Sequence, residues 1–242
     1  MTEQRLNKRS FNYFNKAINQ YQLLQDGEKV LIGVSGGVDS LVLTHLFSVF
    51  NQRRHKNWDV LAVHIEPGFP NWKTTRLIKY FESLKIRYLI SSTDVPEKLK
   101  QVNTEKFSPC FFCARERRKR MFEIANENGI EKIALAHHLE DVNETLFLNL
   151  FYTSTMSTFT PKQYFFKGKF HIIRPLYFFD KELILQYANI YGLPKIKNQC
   201  PHEKESERER IRKFLKSLYK KNPRIKTNIF WGIKNVKLQY LP

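Results

Sequence analysis

The amino-acid sequence predicts an α/β fold built on a doubly wound parallel sheet, and three apolar runs of strand length lead to this prediction. Residues 30–34 form an apolar run that leads directly into a glycine turn at residues 35–37 and then into an amphipathic helix. Residues 60–65 and 86–90 are two further apolar runs of strand length, with a helical pattern between them. Strands that alternate with helices in this way form parallel sheets whose two faces are both covered.

The elements of the first half follow from apolar periodicity and from stop signals. Residues 4–25 carry an apolar face that includes Phe14 and Ile18, and Asp26-Gly27 is expected to end this helix. After the glycine turn we expect a helix over residues 41–50, a polar connection over 51–57 and a helix over 72–84. Residues 92–109 are polar and irregular, which indicates a surface loop.

The second half continues the alternation and then becomes helical. We predict a helix over residues 114–128 that ends at Gly129, a strand over 131–136 and a helix over 141–151. Residues 152–169 lack periodicity and are interpreted as a mobile flap; a strand over 170–173 and a helix over 181–191 follow. A charged helix over 203–221 and a helical segment from Pro223 complete the chain. The predicted division is an N-terminal helical lead-in (1–28), a main α/β domain (29–195) and a helical C-terminal segment that carries Cys200 (196–242).

Composition narrows the class of protein. The 242 residues include 42% hydrophobic and 14% aromatic residues, which fits a globular enzyme, and the formal net charge is +18. An excess of this size indicates a polyanionic partner, for which nucleic acid is the usual candidate. No apolar run is long enough for a membrane span, and no secretory signal is recognised. Three cysteines do not form a disulfide framework, so a cytoplasmic location is expected.

The turn after the first strand has the chemistry of an anion site. The small residues Ser35, Gly36 and Gly37 allow a ligand to approach backbone N–H groups, and the positive end of a helix dipole lies behind them. This is not a Walker A loop, because Asp39 stands where that loop carries its lysine. A carboxylate next to bound phosphate requires a bridging cation such as Mg²⁺. The alternative is an ordinary strand-to-helix turn in which Ser40 caps the helix.

Two further strand ends carry polar side chains. His64 lies at the end of the second predicted strand, and residues 136–141 (Ala-His-His-Leu-Glu-Asp) join the fourth strand to the next helix. Ligands of open parallel sheets bind at the carboxyl ends of the strands. His64 is therefore a candidate ligand residue, although an imidazole on a strand is also a common core residue.

The three cysteines allow several kinds of site. Cys110 and Cys113 form a C-x-x-C pair, which occurs in zinc, iron–sulfur and dithiol redox sites, and Cys200 lies far along the chain. Three thiolates are too few for a closed Cys₄ zinc site but suit a cluster that keeps one iron open. Three unrelated thiols are the remaining alternative.

Several motifs together resemble those of one family. The loop at residues 35–40 (Ser-Gly-Gly-Val-Asp-Ser) resembles the PP-loop of ATP pyrophosphatases, which cleave ATP between the α- and β-phosphates. The chain as a whole resembles the tRNA 2-thiocytidine synthases of that superfamily. Further matching segments are residues 6–9, 67–70, 109–113, 117–118, 136–141, 145–149, 173–176 and Cys200 with the charged helix after it.

The resemblance implies a fold, cofactors and site residues. The implied fold is a Rossmann-like PP-loop domain, and the implied cofactors are ATP, Mg²⁺ and a [4Fe–4S] cluster on Cys110, Cys113 and Cys200. The implied catalytic residues are Asp39, Asp141 and Arg117, with Arg118 as an alternative phosphate clamp. The implied nucleotide-binding residues are Ser35, Gly36, Gly37, Asp39, Ser40, His64, Ala136 and Asp141.

The implied reaction is ATP-dependent tRNA thiolation. A cytidine C2 oxygen would attack the α-phosphate of ATP, pyrophosphate would leave, and sulfide carried on the open iron would then displace AMP. The implied partners are tRNA and a sulfur donor such as a cysteine desulfurase or free sulfide. A homodimer is one option for the assembly.

Two departures from the family pattern leave alternatives open. Val38 stands where the family loop usually has lysine, and Ala136 and Glu140 replace a glycine and an aspartate. Other PP-loop tRNA modifiers, such as a uridine thiolase or a lysidine-forming ligase, therefore remain candidates. A non-catalytic RNA-binding or redox protein on the same scaffold is the alternative from another class.

Overall fold

The computed structural model describes residues 2–70, 72–101, 109–197, 199–200 and 206–240. The strands in this part of the chain are β1 (Lys29–Gly33), β2 (Asp59–Glu66), β3 (Arg87–Ser92), β4 (Lys132–Ala134), β5 (Lys162–Phe165) and β6 (Phe170–Ile173). The helices are α1 (Glu3–Gln20), α2 (Val38–Arg54), α3 (Thr75–Ser83), α4 (Val95–Gln101), α5 (Pro109–Glu127), α6 (Leu139–Thr153), α7 (Lys181–Ile190), α8 (Glu207–Lys221) and α9 (Arg224–Gly232).

The strands form one sheet in the order β3-β2-β1-β4-β6-β5. The pairs β2–β3, β1–β2, β1–β4 and β4–β6 are parallel, and β5 is antiparallel to β6. The chain moves from β1 outward to β3 and then crosses to β4 on the other side of β1. The carboxyl ends of β1 and β4 therefore form the point where the strand order reverses, which is where open α/β sheets bind ligands.

Both faces of the sheet are covered, as the doubly wound prediction requires. On β1, Val30 and Ile32 pack into one apolar cluster with residues of α1, α2 and α7. The residue between them, Leu31, belongs to a second cluster that includes Phe122 and Ile124 of α5. Alternate side chains of a strand point to opposite faces, so these two clusters lie on opposite sides of the sheet. The predicted fold class is confirmed.

Several predicted boundaries in the first half are wrong. The first helix ends at Gln20 instead of Gln25, because Gln22 adopts a left-handed backbone (φ 47°) and the Leu23 N–H donates to the carbonyl of Ile18 at 2.9 Å. The predicted connection over residues 51–57 is still helical as far as Arg54. The next helix begins at Thr75, three residues later than expected.

The two predicted irregular segments both contain regular structure. The segment 92–109, expected to be a loop, contains α4, and residues 102–108 lie outside the described part. The segment 152–169, expected to be a flap, contains the edge strand β5. The C-x-x-C pair lies within the first turns of α5, which begins at Pro109 instead of residue 114. The predicted start of the charged helix at residue 203 lies outside the described residues, and α8 begins at Glu207.

The C-terminal helices pack against the sheet domain. The buried side chain of Asn143 on α6 donates to the Tyr219 hydroxyl of α8 at 3.0 Å and to the Lys226 carbonyl of α9 at 2.9 Å. Phe230 of α9 is buried and its ring contacts that of Tyr177 at a tilt, with 5.0 Å between the ring centres. These contacts place α8 beside the carboxyl end of β4.

Candidate active site

The turn between β1 and α2 is shaped by its own serine side chains. Gly36 has a φ of 88°, a conformation that favours glycine. The Gly37 N–H donates to Ser35 Oγ at 3.2 Å, and Ser40 Oγ donates to the Gly37 carbonyl at 2.8 Å. Since α2 begins at Val38, the first N–H groups of this helix have no partner within it, and the positive end of its dipole lies at the turn. This is the geometry of an anion-binding turn.

Two candidate metal-binding carboxylates meet at one buried imidazole. His138 Nε2 lies 3.7 Å from Asp39 Oδ1 and 3.4 Å from Asp141 Oδ2. Asp141 is further held by the backbone N–H of His138, which donates to Oδ2 at 3.0 Å. The two strand-to-helix turns, β1–α2 and β4–α6, thus bring their acidic residues to the same place.

The charge on this imidazole follows from its neighbours. Burial alone would lower the pKa of His138, but its hydrogen bond with Glu140 and the charges of Asp141 and Asp39 outweigh burial and raise that pKa above its usual value. Burial would raise the pKa of Asp141, but His138 and Arg208 outweigh it and lower that pKa. When it is protonated, this imidazole offsets the repulsion between the carboxylates.

Cations from distant parts of the chain complete this acidic group. Lys181 Nζ of α7 donates to Asp39 Oδ1 at 2.5 Å, and Arg208 Nη2 of α8 donates to Asp141 Oδ1 at 2.9 Å. These cations were not predicted as site residues, because Lys181 and Asp39 are 142 positions apart and no local pattern connects them. Only the packing of α7 against α2 reveals the pair.

Next to the acidic group lies a charged cavity of about 280 Å³. Its lining combines the carboxylates with side chains of α7 and α8: Asp39, His138, Glu140, Asp141, Glu144, Lys181, Arg212, Leu215, Lys216 and Tyr219. Glu144 is buried and is bound by Arg212 at 2.8 Å and Arg208 at 3.1 Å, so α8 is attached to α6 by a partly buried ion network.

The thiols lie on the other side of the glycine turn. Cys113 and Cys200 line a cavity of about 320 Å³ whose wall also includes Ser35, Gly36 and Gly37. Cys110 lies one helical turn before Cys113 on α5 and is exposed. The structure therefore brings together the two sequence-distant parts of the predicted cysteine set, beside the predicted phosphate site.

The pKa values of Cys110 and Cys113 are affected by the other thiols, which indicates that the three cysteines lie close together. Burial raises the pKa of Cys110, and the Cys200 thiolate raises it further. Burial also raises the pKa of Cys113, with smaller effects from the adjacent Arg117, which lowers it, and from the two other thiolates, which raise it. These shifts keep Cys110 and Cys113 in the protonated form when no cation is bound to them.

The thiols do not converge on a single ion. Across the described residues, no three His, Cys, Asp or Glu side chains form a group that could hold one metal ion. A cluster differs from a single ion because each thiolate binds a separate iron, so its ligands stand further apart. The cluster on these cysteines stays a prediction.

Arg117 joins the cavity with the thiols to a third cavity of about 240 Å³ under Ser35. Its Nε donates to the Ile65 carbonyl at the end of β2, at 3.1 Å. This anchoring leaves the rest of the guanidinium at the boundary of the two cavities. Arg118 is exposed and lines the third cavity from its outer side.

His64 and Ala136 are the two remaining candidate nucleotide-binding residues, and they differ in the groups that a ligand could contact. The Nδ1 of His64 lies 2.7 Å from the Val34 carbonyl, and its Nε2 accepts a hydrogen bond from Trp72 Nε1 at 3.2 Å. Burial lowers the pKa of His64, so the ring is neutral and only its face is available to the cavity that it lines. Ala136 lies between β4 and α6 and packs against the apolar core. Their roles stay predictions.

No helix among the described residues is long and apolar enough to cross a membrane.

Comparison with known proteins gives matches over nearly the whole chain. A family model described as a PP-loop domain, ATP_bind_3, matches residues 6–218. The tRNA-cytidine(32) 2-sulfurtransferase of Syntrophotalea carbinolica is 31% identical over 100% of this chain and 94% of its own length. The protein of that name from Polynucleobacter necessarius is 32% identical over 99% of this chain and 80% of its own length.

Solved structures show the same fold. The U34-tRNA thiolase NcsA from Methanococcus maripaludis, solved with its [4Fe–4S] cluster, superposes with a TM-score of 0.77 at 24% identity and covers 98% of this chain and 80% of its own. The NH₃-dependent NAD synthetase of Campylobacter jejuni superposes with a TM-score of 0.55 at 18% identity, over 99% of this chain and 95% of its own.

Proposed function

The chain belongs to the PP-loop domain family and, within it, to the tRNA-cytidine 2-sulfurtransferases, and from this premise we propose that it replaces the C2 oxygen of a tRNA cytidine by sulfur. Membership in the family makes the protein a tRNA sulfurtransferase. The parts that we propose are the choice of cytidine, activation by ATP, and sulfur delivery beside a [4Fe–4S] cluster in the cytoplasm. The names of the relatives favour cytidine over uridine.

One observation carries this proposal: the glycine turn and the thiols share a cavity. Cys113, Cys200 and Arg117 line the same space as Gly36 and Gly37. In a reaction that activates a carbonyl with ATP and then replaces its oxygen, the group that handles sulfur has to lie next to the α-phosphate. A PP-loop enzyme that only adenylates its substrate has no need of thiols at this position.

The residues present fit the cofactors that the family implies. The turn and the start of α2 offer backbone N–H groups to the phosphates of ATP. Asp39 and Asp141 supply the oxygen ligands that Mg²⁺ prefers, and this ion would neutralise the phosphate charge. Cys110, Cys113 and Cys200 would hold the cluster, whose remaining iron would supply a binding position for sulfide.

The chain's own residues would orient and stabilise the reacting groups. The C2 oxygen of cytidine attacks the α-phosphorus of ATP, the bond to the β-phosphate oxygen breaks, and pyrophosphate leaves. Sulfide then attacks C2 and AMP departs with the former C2 oxygen. Lys181 and Arg117, on the two sides of the turn, would stabilise the leaving pyrophosphate and the activated nucleotide through charge-assisted hydrogen bonds.

The third cavity suits the base of ATP. It is lined mainly by apolar side chains, including Ile65, Met121 and Leu135, and lies directly behind Ser35. Gly33 forms part of its wall, and a Cβ at Gly33 would come within 2.8 Å of Leu135 Cδ2. We propose that adenine occupies this cavity while its phosphates lie at the turn.

The test is detection of the three products that the reaction predicts. Purified protein with unmodified tRNA, ATP, Mg²⁺ and sulfide should release AMP and pyrophosphate only when tRNA is present, and nucleoside mass spectrometry should detect 2-thiocytidine. Detection of 2-thiouridine or lysidine instead would replace the proposed substrate or reaction. ATP turnover without any change in the tRNA would reject thiolation.

The cluster has a separate test. Anaerobically purified protein should contain about four irons per chain and absorb as a [4Fe–4S] protein. Cys113→Ala should lose the iron spectrum and thiolation but keep ATP binding, because its side chain is outside the turn. If iron-free protein thiolates at full rate and a persulfide is found on one of the cysteines, the thiols act as sulfur carriers and the cluster proposal is wrong.

A further inference from the structure

A basic and aromatic groove lies on the surface beside the third cavity. It measures about 570 Å³ and is formed by one face of α5 and by the hairpin β5–β6. We call it the hairpin groove and define it by its lining residues: Arg115, Arg118, Lys119, Phe122, Glu123, Asn126, Phe165, Phe166, Lys169 and Phe170.

The charges of the hairpin groove are strongly asymmetric. Four of its lining residues are cationic and one, Glu123, is acidic. The carboxylate of Glu123 also lies near Arg120, at 3.2 Å, and only 4.0 Å from Lys119. The groove therefore presents a net positive surface, which fits an anionic occupant.

The hairpin exposes the aromatic ring of Phe166, and the backbone there adopts an unfavourable left-handed conformation. Phe166 and Lys167 have φ values of 51° and 56°, although neither is glycine. Bulky residues rarely adopt this left-handed conformation, and such residues concentrate where a side chain serves binding or catalysis. The ring of Phe166 remains 63% exposed and meets Phe122 edge-on, with 5.1 Å between the ring centres. One face of an aromatic ring is thus left available beside several cations.

The hairpin groove adjoins the third cavity, which in turn adjoins the cavity with the thiols. Arg118 and Phe122 line both the groove and the third cavity, and Arg117 and Ser35 line both the third cavity and the one that contains Cys113. A nucleic acid that lies in the groove would therefore lie next to the ATP that the third cavity and the turn are proposed to bind.

From the exposed ring, the cations and the position beside the proposed ATP site, we infer that the hairpin groove binds unpaired tRNA close to the nucleotide that is modified. Unpaired RNA combines stacking of bases on aromatic rings with phosphate contacts to cations, and both features are present here. The inference rests on the proposed function, because it names the surface through which the same site takes its RNA.

The experiment separates stacking from charge. Phe166→Asn removes the ring but keeps a residue that tolerates the left-handed backbone, and Phe166→Trp keeps a ring. Lys169→Gln removes one cation. The affinity for unmodified tRNA is measured for each variant over a range of salt concentrations, and the affinity for ATP is measured in parallel.

We expect Phe166→Asn to weaken tRNA binding about fivefold or more with an unchanged salt dependence, because stacking releases no counterions. Lys169→Gln should reduce the slope of log affinity against log salt by about 0.7, the value for one phosphate contact to a single strand. Phe166→Trp should bind as the unaltered protein does, and ATP affinity should not change.

A matched control lies on another face of the molecule. Phe214 on α8 is also an exposed ring, and Lys220 is an exposed cation on the same helix. Phe214→Ala with Lys220→Gln should leave tRNA binding unchanged. If the unaltered protein binds tRNA but Phe166→Asn binds it within twofold as well, or if the control weakens binding equally, the groove is the wrong surface and the proposed function stands. If the unaltered protein binds no tRNA, both proposals fail.

Discussion

Replacement of Asp39 by Asn is expected to stop turnover while the fold survives. The structure sets the size of the stability effect. Asp39 has a side-chain exposure of 29% and its partner Lys181 one of 39%, so the ion pair that the substitution weakens is well screened by solvent. Pairs of this kind contribute about 1 kcal/mol or less, which corresponds to a fall in melting temperature of about 2–4 °C in a chain of this size.

The effect on catalysis should be much larger. In the proposed site Asp39 is one of two carboxylates that bind Mg²⁺, and the ion's charge stabilises the transition state by several kcal/mol. Loss of about 3–4 kcal/mol lowers the rate by about 10²–10³-fold. The test compares two free energies. The loss of transition-state stabilisation should be several times larger than the loss in the free energy of unfolding.

The assay is tRNA-dependent release of AMP and pyrophosphate, with thermal unfolding measured on the same samples. Asp59→Asn is the control: Asp59 is 38% exposed and pairs at 2.9 Å with Arg87, which is 60% exposed, but it begins β2 and lies at the opposite end of the parallel strands. The control should lose a similar amount of stability and no activity. Unaltered AMP formation in Asp39→Asn would exclude Asp39 from the catalytic site, and a fall of more than 10 °C would show that the carboxylate holds the fold together.

Three further predictions follow from buried groups. Gly33→Val should raise the KM for ATP at least several-fold and leave the KM for tRNA unchanged, because the new side chain crowds the proposed adenine cavity; equal effects on both would contradict that placement. Glu144→Gln should lower the free energy of unfolding by about 2 kcal/mol in urea titrations, because Arg208 and Arg212 lose a buried carboxylate partner. An unchanged free energy of unfolding would show that this ion network does not stabilise the fold. His45→Gln should flatten the acid dependence of stability. Burial lowers the pKa of His45 to about 4, so the unaltered protein should lose about 3 kcal/mol as pH falls from about 6.5 to about 4, and an unchanged slope in the variant would reject this assignment.

The features that could be predicted from the sequence are those with a local cause. The turn at residues 35–40 could be recognised because an apolar strand, two glycines and a helix start are adjacent in the chain. The strand over Phe170–Ile173 was predicted with its observed bounds, since its apolar residues are flanked by polar ones. The end of α1 was predicted wrongly, because Leu23 and Leu24 look like a continued helical face but are buried beyond the helix end.

The edge strand β5 shows a second limit of local reasoning. Its residues alternate only weakly between buried and exposed, because one edge of the strand has no neighbour among the described strands and its faces are partly open to solvent. The pairing of β5 with β6 creates the hairpin groove. This pairing depends on hydrogen bonds between the strands, which the periodicity of the sequence does not predict.

By itself, the sequence determined the alternation of strands and helices, the phosphate turn and the candidate thiols, because each depends on residues that are close in the chain. Only the tertiary structure decided that Asp39 and Asp141 meet at His138, that Lys181 and Arg208 bind them, and that the turn and two of the three cysteines line one cavity. The reason is physical. Oppositely charged side chains are attracted over only a few ångströms in a screened medium, so their partners are chosen by the packing of α7 and α8 against the sheet and not by any pattern along the chain.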